Sequence, residues 1–152
     1  MATTSRVGKD CKVSLGSAQV FGIGDWSIDG RAIAEIDDTE FGDQYTKYAF
    51  GVIDGGTIAF SGNYKPDDTT GQVALEEAFD GNTEITNIKL YVDSSSYFEP
   101  CRTTGYLHPG STTLNNTFLS SVRITGEPKS VDKGGLIQVS FSARISGSMV
   151  LV

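Results

Sequence analysis

The sequence has few of the residues from which catalytic and metal sites are usually built. It contains one histidine, His108, and two cysteines, Cys11 and Cys101. A single histidine excludes a multi-histidine metal site within one chain, and cysteines so far apart match neither a zinc-ligand spacing nor a CxxC redox pair. Nothing around Cys101 and His108 suggests a nucleophile and its base. We therefore predict no catalytic site, no metal and no cofactor, with His108 at the surface.

Long apolar runs and an excess of positive charge are also missing. No window approaches the roughly 20 consecutive apolar residues that span a bilayer, so no membrane segment is predicted. The chain has 12 basic and 19 acidic residues, and its formal net charge of −7 disfavours binding to nucleic acid. Residues 1–9 hold no apolar run that could act as a secretion signal, which predicts synthesis in the cytoplasm and reduced cysteines.

What the sequence does have is turn residues and alternation of polar with apolar residues. Glycine is abundant, at 18 of 152 residues, which is typical of a chain with many turns. We predict a single domain over residues 1–152, with 1–9 as a flexible N-terminal arm. Strict alternation over 136–147 predicts a strand buried on one face, with Phe141 pointing inward. Further strands are predicted at 57–64, 85–93 and 118–126, with an irregular region between the last two.

Residues 19–36 carry a signal for a β-hairpin. Two strand-like runs flank Asp29 and Gly30, a dipeptide that readily adopts the positive φ angles of a two-residue hairpin turn. Gly22 and Gly24 lie within the first run, and no helix follows them. Because a dinucleotide-binding motif needs a helix there, we interpret these glycines as positions of close backbone approach or strand bending.

One helix is predicted, over residues 71–80. Thr69 is its candidate N-cap, Gln72 completes a capping box, and Gly81 ends the helix. Strands interrupted by one short helix predict a mainly β fold, either a two-sheet β-sandwich or a small barrel with the helix on its flank.

Residues 37–54 show no sustained periodicity and are predicted to form a long loop. Loops of this length in a compact domain are usually functional or disordered. Its acidic residues lack the fixed spacing of a calcium-binding loop, which favours a solvated loop over a metal site. Its aromatic residues would either contact a partner or lie beneath the chain's own loop, and the loop's length favours a partner. The candidate contact residues are Asp37, Asp38, Glu40, Asp43, Tyr45, Tyr48 and Phe50.

Three stretches resemble the tail tube proteins of bacteriophages. Residues 24–36 (GDWSIDGRAIAEI) are similar to that family's opening hairpin, and residues 54–64 (DGGTIAFSGNY) to its next strand. Asp68 with Gly71, Gln72, Leu75 and Ala78 is similar to the strand-to-helix segment after it. The resemblance covers residues 24–81, and beyond them only the general order of strands matches. It implies a β-sandwich with a flanking helix, a fold also found in type VI secretion tube proteins.

The same resemblance implies a structural role in a virion rather than an enzymatic one. Six copies would form a ring, and stacked rings would form a tube through which DNA passes without specific binding. The loop at 37–54 would contribute to stacking between rings. The implied partners are further copies of the chain, the tail tip or baseplate, the tail terminator, and a tape measure protein in the lumen.

Two other classes of protein compete with this interpretation. Composition fits equally well a phage decoration protein or a carbohydrate- or receptor-binding β-sandwich, which would be a discrete monomer or trimer with an exposed aromatic surface. A small hydrolase is the other alternative, and the lack of a usable histidine constellation argues against it.

Overall fold

A computed structural model describes residues 8–102, 106–107, 114–116, 119–131 and 133–152. His108 and most of the proposed N-terminal arm lie outside the described residues. A 3-10 turn at Gly8–Asp10 precedes the first strand, and the α-helix α1 spans Gln72–Asp80. In chain order the strands are β1 (Lys12–Leu15), β2 (Ala18–Gln19), β3 (Ile23–Asp29), β4 (Ala32–Asp37), β5 (Tyr48–Asp54), β6 (Thr57–Asn63), β7 (Ile88–Tyr91), β8 (Tyr97–Pro100), β9 (Tyr106–Leu107), β10 (Leu114–Asn116), β11 (Ser121–Gly126), β12 (Lys129–Ser130), β13 (Gln138–Ser146) and β14 (Met149–Leu151).

The strands form two larger antiparallel sheets and two hairpins. The first sheet has the strand order β14-β8-β7-β1-β2, and the second has the order β11-β13-β6-β3, with β12 paired to β13. The hairpins are β4 with β5 and β9 with β10. The mainly β fold with one helix is therefore confirmed.

A single hydrophobic core joins the two larger sheets. Val13 and Leu90 reach it from the first sheet, and Phe60 and Phe141 from the second, all at 0–1% exposure. The predicted alternation is confirmed along β13, where Val139, Phe141, Ala143 and Ile145 are buried while the residues between them are not. Ile137, also expected to point inward, precedes the strand and is 45% exposed. Burying one face of each sheet leaves the opposite faces for solvent or for partners.

Helix α1 is held by a buried polar network rather than by the predicted cap. Gly71 occupies the N-cap position without any side-chain cap hydrogen bond, so the assignment of Thr69 was wrong, whereas Gly81 ends the helix as expected. Gln72 is fully buried. Its side-chain amide donates to the carbonyls of Phe21 and Asn63 and accepts from the amide of Lys65, which ties α1 to the ends of two strands.

The hairpin predicted at 19–36 does not form. Its first arm is β3, which pairs with β6 in the second sheet, with Ser27 opposite Ala59. Its second arm is β4, which pairs with β5. Gly30 has the positive φ of 74° expected at the turn, but the turn carries the chain from one sheet to a separate hairpin. Asp29 and Gly30 therefore predicted the chain reversal correctly, but the prediction that the two flanking strands pair with each other was wrong.

The predicted loop at 37–54 is also corrected, because β5 occupies Tyr48–Asp54. Only the segment between β4 and β5 lacks strand structure.

The predicted irregular region before β11 likewise contains β8 at Tyr97–Pro100. Close backbone approach at Gly22 is confirmed, since a Cβ there would lie 2.4 Å from the carbonyl oxygen of Asn63.

Candidate interaction surface

The hairpin β4–β5 carries all seven candidate contact residues. Asp37 ends β4, Tyr48 and Phe50 lie on β5, and the remaining residues are in the connecting tip. None of these aromatic side chains is buried beneath the chain's own loop: Tyr45, Tyr48 and Phe50 are 83%, 52% and 64% exposed. These three side chains are therefore accessible to solvent, and contact with a partner stays a prediction.

The acidic residues at the tip organise the turn. The Asp37 carboxylate accepts a hydrogen bond of 2.9 Å from the Thr39 amide. Hydrogen bonding from the Thr39 side chain, and secondly from this amide, lowers the pKa of Asp37. Asp43 accepts from the Glu40 amide at 2.7 Å and lies 3.3 Å from the ammonium of Lys47. Local backbone groups and a lysine thus satisfy these carboxylates. No cluster of metal-binding side chains is found among the described residues.

The hairpin exposes further large apolar side chains in addition to the seven candidate contact residues. Neither face of its two strands is wholly polar, and no described element of the chain covers them. Large exposed apolar side chains in soluble proteins, when they form a contiguous surface, mark sites of association. The additional residues are Ile33, Ile36, Phe41, Val52 and Ile53. The signal that could have found them is the apolar content of both faces of β4 and β5.

One face of the hairpin pairs carboxylates with aromatic rings. Glu35 lies opposite Phe50, and Asp37 lies opposite Tyr48, and residues directly opposite in an antiparallel pair point to the same side. We call Glu35, Asp37, Tyr48 and Phe50 the carboxylate–aromatic face. Such a face offers both apolar contact area and negative charge to a partner.

The outer face of the second sheet is a separate surface, lined with small polar residues. Cross-strand register aligns Ser27, Ala59 and Ser142 in one row, and Asp25, Ser61 and Ser140 in the next. Its charges are matched locally: the Ser61 hydroxyl donates to Asp25 at 2.8 Å. Arg144 pairs with Asp54, and Arg123 lies 3.5 Å from Glu84. This face is therefore polar, and each of its two arginines lies beside a carboxylate.

The fold of this chain is similar to that of chains from tails and injection systems. No family model and no curated protein matches the sequence. Several solved structures match the fold across nearly the whole chain. The resemblance to tail tube proteins is thus confirmed at the level of the fold.

Three of these solved structures illustrate the similarity in fold. A chain from the virion of a native gene transfer agent particle is 14% identical, with a TM-score of 0.67 over 97% of this chain and 99% of that one. The PVC sheath/tube terminator of an extracellular contractile injection system is 8% identical, with a TM-score of 0.65 over 100% and 99%. The tube-terminating cap of the anti-feeding prophage is 14% identical, with a TM-score of 0.57 over 100% and 93%.

No helix among the described residues has the length and apolar character needed to cross a membrane.

The two cysteines are not bonded to each other. Cys101 is buried, and Cys11 is partly buried with its sulfur 4.0 Å from the Gly24 carbonyl oxygen.

Proposed function

We propose that this chain is the subunit of a tail tube, in which hexameric rings stack to form a channel for DNA. The observation that carries the proposal is the uncovered apolar hairpin β4–β5, on a fold shared with components of tails and injection systems. Apolar surface of this extent is costly in water and is stabilised by burial against another molecule. The hairpin is accordingly the proposed ring-stacking contact.

The arrangement of the second sheet supports ring formation. Its outermost strands are β3 and β11. The outer edge of β11 is partly occupied by Ile85, which exchanges two backbone hydrogen bonds with Val122, whereas β3 has one edge without a partner strand among the described residues. An edge of this kind favours pairing with a further chain, and a closed ring of subunits removes it. Pairing of the β3 edge with a neighbouring subunit would turn the polar outer face of this sheet toward a common lumen.

That face suits a channel for DNA. Its hydroxyl-rich rows keep the lumen wet, and the local pairing of Arg123 and Arg144 with carboxylates reduces their attraction for phosphate. DNA would pass through without being bound. In this proposal the remaining partners are a tape measure protein in the lumen, a tail tip or baseplate at one end, and a terminator at the other. The assembly would operate in the virion tail after synthesis of the chain in the host cytoplasm.

A tube terminator is the second candidate, because the terminator and the cap match nearly as well as the gene transfer agent chain. The two functions differ in whether the assembly continues to grow. A tube subunit presents a stacking surface at both ends of its ring and extends with concentration, whereas a terminator forms a ring that stops.

Serine substitutions in the hairpin test the proposal. In the double variant Tyr45→Ser, Phe50→Ser the concentration at which tubes form should rise by at least about tenfold, since truncating an aromatic anchor costs roughly 2 kcal/mol or more. The thermal unfolding midpoint should stay unchanged because both side chains are exposed. Tube formation is measured by sedimentation and electron microscopy.

A matched control removes apolar surface outside the hairpin. Val131 and Leu136 are 63% and 68% exposed, so the double variant Val131→Ser, Leu136→Ser removes two exposed apolar side chains elsewhere on the chain. It should assemble as the wild type does. Normal assembly of the hairpin variant, or equal loss in both variants, would contradict the stacking role.

A further inference from the structure

The outer face of the first sheet carries a patch of lysines set over tyrosine rings. The ammonium of Lys12 lies 4.5 Å from the ring centroid of Tyr91, and that of Lys89 lies 4.7 Å from the ring centroid of Tyr97. The two tyrosine rings are 5.0 Å apart. We call these four residues the basic–aromatic patch. It is an unusual feature in a chain with a net charge of −7.

The patch is held rigidly from beneath. The Trp26 indole donates a hydrogen bond of 2.9 Å to the Tyr91 carbonyl, and Leu90 beside it is fully buried. Cation–π contacts orient both ammonium groups without neutralising them. Alternation along β8 places Glu99 on the same face, where it offsets one of the two ammonium charges, so the patch keeps a positive excess.

The hairpin's carboxylate–aromatic face is complementary to this patch. Glu35 and Asp37 are two residues apart on β4, which separates them by about 7 Å. Lys12 lies opposite Tyr91 and Lys89 lies opposite Ser14, so the two lysines are diagonal neighbours, about 7–8 Å apart. Each surface thus presents two like charges at nearly the same spacing, of opposite sign, among two aromatic rings.

We propose that the carboxylate–aromatic face of one copy docks on the basic–aromatic patch of a second copy. Glu35 and Asp37 would pair with Lys12 and Lys89, while Tyr48 and Phe50 pack against Tyr91 and Tyr97. The contact joins different surfaces of the two copies, so it can propagate along an assembly. The inference rests on the proposed function, because it names the surface that receives the stacking hairpin.

Cross-linking with a carbodiimide tests the contact directly, because this reagent joins a carboxylate to an amine only where the two meet. Wild-type chains labelled with ¹⁵N are mixed with unlabelled chains at the highest soluble concentration, and linked peptides are identified by mass spectrometry. Mixed-isotope links from Glu35 or Asp37 to Lys12 or Lys89 are expected. Their absence overturns the inference, as does exclusive linkage of these carboxylates to Lys65 or Lys133.

Charge reversal provides the second test. The variant Lys12→Glu, Lys89→Glu should raise the concentration needed for assembly by at least about tenfold, since like charges placed opposite each other are strongly unfavourable. The variant Glu35→Lys, Asp37→Lys should do the same, and the combination of all four changes should restore assembly. The control variant Lys65→Glu, Lys133→Glu makes the same change in net charge elsewhere and should assemble normally.

The outcomes separate this inference from the proposed function. If the serine variant of the hairpin fails to assemble but reversal of Lys12 and Lys89 has no effect, the hairpin stacks on another surface and only the inference is wrong. If neither hairpin nor patch variants differ from wild type in assembly, both are wrong. Failure of the four-fold variant to recover, with its thermal midpoint intact, also counts against the direct pairing.

Discussion

Phe141 and its neighbours in β13 show how alternation separates the two faces of the second sheet. Its ring is fully buried and stacks on that of Phe60, with centroids 5.3 Å apart. Ser140 and Ser142, its neighbours in β13, point to the opposite side and form part of the polar outer face. The residue therefore anchors the core while its position in the alternation keeps that outer face polar.

Replacement of Phe141 by alanine should lower the free energy of unfolding by about 3–5 kcal/mol, because it removes a buried ring and leaves a cavity against Phe60. Urea denaturation measures the change. Ser142→Ala on the outer face of the same strand is the control, and it should change the free energy by less than about 0.5 kcal/mol. Equal effects of the two substitutions would mean that the faces of β13 have been assigned the wrong way round.

Residue-level patterns predicted burial well where one face of a strand meets the core. The alternation over β13 identified Val139, Phe141, Ala143 and Ile145 correctly. The same reasoning could not decide whether Tyr48 and Phe50 are buried within the chain. A pattern of apolar residues does not distinguish burial in the chain's own core from burial against a partner. The exposure of these rings follows only from the fold, in which no described part of the chain lies over them.

At the scale of elements, helix α1 is linked to the edge of the second sheet by an ion-pair cluster. The ammonium of Lys129, in β12, lies 2.6 Å from the Glu127 carboxylate and 3.2 Å from that of Glu76 in the helix. It also lies 4.8 Å from the ring centroid of Tyr64. Burial raises the pKa of Glu127 above its ordinary value of 4.5, and the neighbouring Glu76 adds to the rise while Lys129 opposes it.

This cluster predicts a pH dependence of stability. A carboxyl group whose pKa is raised on folding binds its proton more tightly in the folded state. Its contribution to stability is therefore complete below the unfolded pKa of 4.5 and is lost as the pH rises through the folded value. Glu127→Gln cannot titrate. The stability of wild type relative to this variant should fall as the pH is raised above 4.5, in urea titrations of both proteins.

Glu77→Gln, on the exposed side of the same helix, is the control for loss of a carboxylate. Its stability should follow the pH profile of the wild type more closely than that of Glu127→Gln does. Parallel profiles for wild type and Glu127→Gln would show that burial does not perturb Glu127.

The misassigned hairpin has a physical cause at this scale. Asp29 and Gly30 favour a reversal through local backbone geometry, but strand pairing depends on partners far away in sequence. Pairing β3 with β6 sets Ile28 opposite Ile58 and Trp26 opposite Phe60, and Ile58 and Phe60 are buried in the core. Local turn chemistry therefore predicted where the chain bends, and long-range packing decided what each strand contacts. The same distinction applies to helix α1. Its C-terminal end at Gly81 was predictable from local sequence, whereas the hydrogen bond from Gln72 to the carbonyl of Phe21 depends on the tertiary structure.

At the scale of the whole molecule, three surfaces have distinct properties. The second sheet offers a hydroxyl-rich face with matched charges, the hairpin offers exposed apolar and acidic side chains, and the first sheet offers lysines over tyrosine rings. A tube subunit needs a lumen face, a stacking contact and a surface to receive it. The mainly β fold was within reach of the sequence, and the contact role of residues 37–54 stays a prediction. The lysine patch was out of reach, because Lys12 and Lys89 are brought together only by the pairing of β1 with β7.

Negative-stain electron microscopy of the purified chain across a concentration series tests the central claim most directly. The account predicts rings at low concentration and hollow tubes that lengthen as the concentration rises, with six-fold symmetry in end views. Uniform small particles at every concentration, or rings that never stack, would contradict a self-assembling tube subunit. Rings that never stack would instead favour the terminator.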